Sequence, residues 1–423
     1  VLLQNNQTLP FSNDIKSVAL IGKATQVYAQ QAVAGGVMVG HPMGAGGGSS
    51  DVVPHYTVPP LQGIKNVLQE LGNTETKIEL TLVDDDNSNI DQAIEAAKQA
   101  DAVIIMAGSI AEEGADRATF ADEIGLNAAL SLGDTLDWYT DAPNKITSLA
   151  RTDGKDLNPE RNSQTIAMIE MILAATGDMF KKTAVVLKDN AGIAIPNSGA
   201  LLGNSGPAIL EVWFPGQEDG HIVADVLFGS VNPSGKTPVT FPIAGKGFLD
   251  TIAKDAIHFP GTSAKANGWV DTTDVTVFPP LVFEDKALVE YKEGLNIGYR
   301  WYDSNSSGKC ALREDLSNPC VAFPFGHGLS YTEFSVGDAS LIYNTSKDTY
   351  TVNLPVTNEG NRQGKTVIQV YLGVPAPKQP PKRLVAFQKV SISSGETVLV
   401  SLDIDPSSAN HPLGIYDTEL KQF

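Results

Sequence analysis

Two runs, DAVIIMAG (101–108) and TAVVLK (183–188), are apolar at nearly every position. A strand that is apolar on both sides must be covered on both sides, which in practice means a parallel sheet with helices over each face. The neighbouring segments fit that requirement. SVALIG, from Ser17 to Gly22, reads as a further short strand. LQGIKNVLQELG sets Leu61, Ile64, Leu68 and Leu71 on one helical stripe and ends at Gly72, a residue suited to a left-handed cap. KIELTLVDD predicts a strand, DQAIEAAKQA a helix, residues 164–175 a helix, and GQEDGHIVADVLFG a helix closed by Gly229. Alternation of this kind predicts an α/β sandwich over residues 1–243, with a mostly parallel sheet and helices on both faces.

The pattern then changes. Residues 244–333 begin as an irregular stretch rich in Pro, Gly, Asp and Thr, and read as a linker and wrapping segment. From Phe334 onward, DTYTVNLPVTNEG, KTVIQVYLG, LVAFQKVSISSG and ETVLVSLDI alternate apolar and polar residues between turn signals. Period-two segments of this length predict a β-sandwich over 334–423.

Charge excludes some partners. With 49 acidic against 30 basic residues, the net charge of −19 gives no electrostatic grip on nucleic acid or an anionic membrane. No apolar run approaches the roughly 18 residues needed to span a bilayer. Six scattered histidines and no CxxC offer little to a transition metal, and nothing calls for an organic cofactor. The start, VLLQNNQTLPF, has neither a methionine nor the features of a signal peptide, so a processed product or fragment is expected. Cys310 and Cys320, ten residues apart in CALREDLSNPC, read as a local disulfide of an oxidising compartment, the alternative being two free thiols. Sequons at Asn6, Asn305 and Asn344 agree with secretion.

One stretch carries more charge than a sheet edge needs. AEEGADR (111–117) follows directly on DAVIIMAG, at the carboxyl end of a predicted buried strand, where open α/β sheets bind ligands. Glutamates beside other carboxylates in such a place can hold a proton near neutral pH. Other stretches are blander. The glycine-rich HPMGAGGGSSD (41–51) lacks the lysine of a P-loop and reads as a loop, with a cleft wall as the alternative. His327 is expected to pack at the join between linker and sandwich, and Trp301 and Tyr302 in a core or domain junction. Trp138 and Tyr139 are freer to face a cleft.

Longer words point to a family. FPGQEDGHIVADVLFGSVNPSGKTPVTFP (214–242), YKEGLNIGYRWYD (291–303) and FPFGHGLSYTEF (323–334) resemble glycoside hydrolase family 3, in its β-glucosidase and exo-β-glucanase branch. VTNEGNRQGKTVIQVYLG and RLVAFQKVSISSGE resemble that family's fibronectin type III-like domain. The resemblance implies a retaining glycosidase acting on a β-glucoside or β-glucan oligosaccharide without a cofactor. It implies Glu113 as acid/base, with Gly114, Asp116 and Arg117 matching the family's loop, and Glu112 as the alternative acid. The position between Gly114 and Asp116, often aromatic in relatives, is Ala115 here. The family's aspartate nucleophile resides in a (β/α)8 barrel that nothing here matches. The chain is therefore expected to pair with an N-terminal barrel, covalently or as a separate chain, and to stop before the last sandwich strands. Residues 118–157 make a longer insertion than is usual after this motif. Secretion is the expected location, a vacuole or lysosome the alternative. A β-xylosidase of the same family and a non-catalytic carbohydrate-binding module are the competing functions.

Overall fold

The computed structural model describes residues 1–22, 27–28, 41–42, 56–83, 87–108, 165–189, 192–196, 199–243, 246–248, 262–263, 287–288, 291, 293–304, 320–416 and 419–422. Its first domain is built on a six-stranded sheet. In chain order the elements are β1 (Leu2–Gln4), β2 (Ser17–Ile21), α1 (Pro60–Glu70), β3 (Lys77–Thr81), α2 (Ile90–Gln99), β4 (Ala102–Gly108), α3 (Thr165–Leu173), β5 (Thr183–Lys188), β6 (Ala208–Glu211) and α4 (Asp219–Leu227). The sheet order is β1-β6-β5-β4-β2-β3. All neighbours are parallel except β1, which adds antiparallel to β6. The sheet is thus mixed at one edge. Neither β1 nor β6 was expected from sequence, because LLQ and AILE are too short to show a period.

Side chains alternate across this sheet as a pleat requires. Val18, Leu20, Ile104, Met106, Ala184 and Val186 pack under α1 and α4, in one cluster with Ile64, Leu68, Val223 and Leu227. Ala19, Ile21, Val103, Ile105, Val185 and Leu187 face the other way and meet α2 and α3 through Ala93, Ala97, Met168 and Ile172. Both faces are covered, so the apolar runs were apolar for the expected reason. Helices α1 and α4 approach so closely that a Cβ on Gly63 would lie 2.0 Å from the Gly220 carbonyl carbon. Only glycine fits at such a crossing.

The stretch expected to be a linker is partly stitched into the first domain. β7 (Phe241–Pro242) pairs antiparallel with β8 (Val321–Phe323), and Phe241, Ala322 and Phe323 join the α2/α3-side core. Leu329 bridges to Leu2, and His327 stacks on Phe323 while its Nε2 lies 2.7 Å from the Leu3 carbonyl oxygen. His327 is a packing residue, and its ring ties the chain to β1. Between these strands lies α5 (Tyr299–Ser304). Tyr302 is buried there beside Cys320 and Val321, with Trp301 edge-on to Phe248.

The second domain is antiparallel. β9 (Phe334–Val336) and β10 (Ser340–Asn344) share one edge of β11 (Thr349–Asn358), and β14 (Thr397–Ile404) takes the other. β12 (Gly364–Leu372) pairs with β13 (Arg383–Ile392) as the second layer. Leu354, Val356, Ile368, Ile392, Val400 and Leu402 form the core between them.

Candidate active site

Sheet order locates the crevice. From β2 the chain crosses outward to β3 and then returns to the other side of β2 as β4. Beyond the carboxyl ends of β2 and β4 the two crossovers diverge, and such a switch point is where an open α/β sheet leaves room for a ligand. Gly22, the first residue after β2, has φ +119, and a Cβ there would lie 2.3 Å from the Met106 carbonyl oxygen. The backbone therefore closes tightly onto β4 at the floor of this crevice.

β4 ends at Gly108, and AEEGADR starts three residues later. Glu113 is five residues past the strand end, a reach of about 17 Å at most. Glu112, Glu113, Gly114, Asp116 and Arg117 themselves lie outside the described residues. So do Cys310, Asn305, Trp138, Tyr139 and most of the glycine-rich stretch. Cys320 is buried, at 3% exposure. Of the two described sequon asparagines, Asn6 donates through Nδ2 to the Gly203 and Gly206 carbonyls at 2.9 and 2.8 Å, using the nitrogen a glycan would need. Asn344 instead engages its Oδ1, accepting from Ser346.

Beside the switch point the described residues hold a buried charged cluster that the sequence reading did not find. β5 ends in Lys188 and is followed by Asp189, β6 ends in Glu211, and α4 begins with Asp219; all four are 0% exposed. Alternation splits them between the faces. Lys188 points toward α4 and forms an ion pair with Asp219 Oδ2. Burial lowers the Lys188 pKa and raises that of Asp219, while their mutual attraction opposes both shifts. On the other face burial raises the Glu211 carboxyl well above the usual range, and the nearby Asp189 carboxylate pushes it further. Glu211 Oε1 accepts from the Trp213 backbone N–H at 2.8 Å. One signal was available in the sequence: a lysine closing an otherwise apolar strand in a doubly covered sheet must find a buried acid.

Among the described residues no group of three or more His, Cys, Asp or Glu is arranged to hold a metal ion, and no helix is long and apolar enough to cross a membrane.

Comparison with known proteins agrees with this fold. Residues 1–331 match the glycosyl hydrolase family 3 C-terminal domain, and residues 366–423 match a fibronectin type III-like domain. Beta-glucosidase B of Emericella nidulans is 33% identical over 288 residues, covering 67% of this chain and 28% of that protein. A periplasmic beta-glucosidase of Salmonella typhimurium is 29% identical, covering 75% of this chain and 31% of its own length. The chain thus spans less than a third of these curated relatives. Beta-glucosidase 3B of Thermotoga neapolitana, solved with glucose, superposes with a TM-score of 0.59 at 25% identity, over 96% of this chain and 47% of that one. The D2-BGL β-glucosidase of Chaetomella raphigera shares the fold over the whole chain at a TM-score of 0.63, across 49% of its length.

Proposed function

The chain belongs to glycoside hydrolase family 3, and we propose that it supplies the proton donor of a retaining β-glucosidase. A barrel domain outside these 423 residues, joined covalently or as a separate chain, would supply the aspartate nucleophile. The observation that carries this reading is position: β4 ends at the switch point of the sheet, beside the tight Gly22 closure, and AEEGADR follows three residues later in the sequence. Family membership supports an acid/base in that crevice.

Glu113 enters the first step protonated. It gives its proton to the glycosidic oxygen while the aspartate attacks the anomeric carbon, so the aglycone leaves as an alcohol and a glycosyl-enzyme ester forms. The resulting Glu113 carboxylate then takes a proton from water, whose oxygen attacks the same carbon and frees the aspartate. Retention requires the two carboxyl groups about 5–5.5 Å apart. Asp116 and Arg117 would brace the loop, and Gly114 its turn. Terminal β-D-glucosyl residues of oligosaccharides or glucosides are the substrates, and no metal or organic cofactor takes part. With Ala115 in the loop, the aglycone side is open. Secretion is part of the proposal, together with a Cys310–Cys320 disulfide and glycans on Asn305 and Asn344.

In the complete enzyme, Glu113→Gln should cut cellobiose hydrolysis by about 10²–10⁴-fold. Aryl glucosides with good leaving groups, which need no proton in the first step, should lose much less in their first turnover. Wild-type cellobiose rates in Glu113→Gln would refute the assignment.

A further inference from the structure

A second polar site lies far along the chain from AEEGADR, where α5 meets the sandwich. A cavity of about 550 Å³ is lined there by Phe248, Ile297, Tyr299, Arg300 and Phe325, among others. A second, of about 320 Å³, adjoins it and shares Thr240, Tyr299, Tyr302 and Phe325. Each is within the size range of small-ligand sites. The wall between them is rigid: Tyr299 stacks on Phe325 at 4.5 Å, meets Tyr371 edge-on at 6.0 Å, and accepts the Leu384 backbone N–H at 2.8 Å.

The charges around this wall do not balance. Lys382 pairs with Asp303 at 3.5 Å. Arg300 sits over the Tyr299 ring at 5.8 Å and makes no ion pair with any described residue. Arg383, beside Leu384, is equally without an ion-pair partner among the described residues, and its Nε and Nη2 are shut off from solvent with no hydrogen bond. Arg383 feels Arg300 as a like charge, and burial together with that repulsion holds its guanidinium below the usual arginine range. Two guanidiniums in one neighbourhood, neither with an ion-pair partner among the described residues, stand out in a chain of net charge −19. Thr240 Oγ1, on the lining of both cavities, is also buried without a partner.

We propose that this junction binds a carboxylate-bearing saccharide, its acidic group on Arg300 and its ring against the Tyr299–Phe325 wall. Guanidinium forks match a carboxylate in two parallel hydrogen bonds. The aromatic lining suits the apolar face of a pyranose, and Thr240, Gln369 and Tyr371 offer hydroxyl and amide partners around it. A bare inorganic anion would leave the aromatic wall unused. This site stands independently of the acid/base assignment.

Calorimetric titration of the full chain, in the Glu113→Gln background to prevent turnover, tests it with cellobiouronic acid, cellobiose and inorganic phosphate. Loss of the charged hydrogen-bonding partner predicts that Arg300→Gln weakens binding of the acid at least about tenfold, while Arg383→Gln, which removes a neighbouring positive charge that does not line the cavity, weakens it by less. Cellobiose should bind this site at least about tenfold more weakly than the acid, and added salt should weaken the acid alone. Thr240→Val, which keeps every charge, should reduce binding severalfold and covers the case in which an arginine variant fails to fold. Equal affinity for acid and cellobiose, indifference to all three substitutions, or phosphate binding as tight as the acid would overturn the proposal. In the complete enzyme with Glu113 intact, the arginine variants should hydrolyse glucosides at the wild-type rate, so failure here is distinguishable from failure at Glu113.

Discussion

The two domains solve burial in opposite ways. In the α/β domain β5 is buried at all six positions and must be covered by helices on both faces. In the sandwich, β14 buries only alternate residues, and its other face stays exposed. The first arrangement has no free face on which to park a charge. At the carboxyl ends of the inner strands β5 and β6 ionisable groups are desolvated, and Lys188, Asp189 and Glu211 are the result. The sandwich buries Asn358, to which Thr332 bonds at 2.6 Å, and among its described residues no charged side chain is buried whole, Arg383 losing solvent at Nε and Nη2. A doubly covered sheet can therefore build the low-dielectric polar pocket that proton chemistry needs, while a half-covered one supplies scaffold.

The strongest test of that contrast is Lys188→Met. It leaves Asp219 buried without its cation, and breaking a buried pair in this way costs about 3–5 kcal/mol. The double variant Lys188→Met/Asp219→Leu removes both charges and should recover most of the loss. All four tryptophans, Trp138, Trp213, Trp269 and Trp301, precede the sandwich, so tryptophan-detected urea unfolding reads the part of the chain outside it. A single variant as stable as wild type would mean that the pair is not held buried as an ion pair. In the sandwich the corresponding damage is only a packing defect. Ile392→Val, at a fully buried position of β13, should cost about 0.5–1.5 kcal/mol. It should leave the tryptophan-detected transition in place, whereas a shift equal to that of Lys188→Met would erase the distinction between the domains.

How much of this was legible follows from the same contrast. Continuous apolar runs and amphipathic stripes gave β2, β4, β5, α1, α2 and α4 almost to the residue, because coverage on both faces leaves no other pattern. Alternation gave β11 to β14 equally well. β1 was hidden because an edge strand of three residues has no period, and its partner β6 is only one residue longer. The stitching of 320–329 into the first domain was hidden because VAF and FGHGLS gain their meaning only from Phe241, Thr237 and Leu3, far away in sequence. At the site, AEEGADR was visible as clustered charge at a strand exit. Lys188–Asp219 was not, since its members are 31 residues apart and each alone looks like a helix or strand terminus.

The smallest effect separates the two faces of the carboxyl edge. Lys188 and Asp219 neutralise each other, but Glu211 is buried beside Asp189, a like charge, and these outweigh the Trp213 and Val212 backbone N–H groups and the Val1 amino group that favour its ionised form. Its pKa in the folded protein is therefore raised above the ordinary 4.5. The sign follows from linkage: a carboxyl that binds its proton more tightly when folded contributes stability below pH 4.5 and loses it as pH rises through the raised value. Glu211→Gln keeps the shape and removes the titration. Near pH 4 the variant and the wild type should unfold at similar temperatures. With rising pH the wild type should fall progressively below the variant, in thermal scans of the same protein under matched salt. A parallel pair of curves from pH 4 to 8 would show that the charge on Glu211 is compensated in the folded protein. The two faces of the edge would then be electrostatically alike.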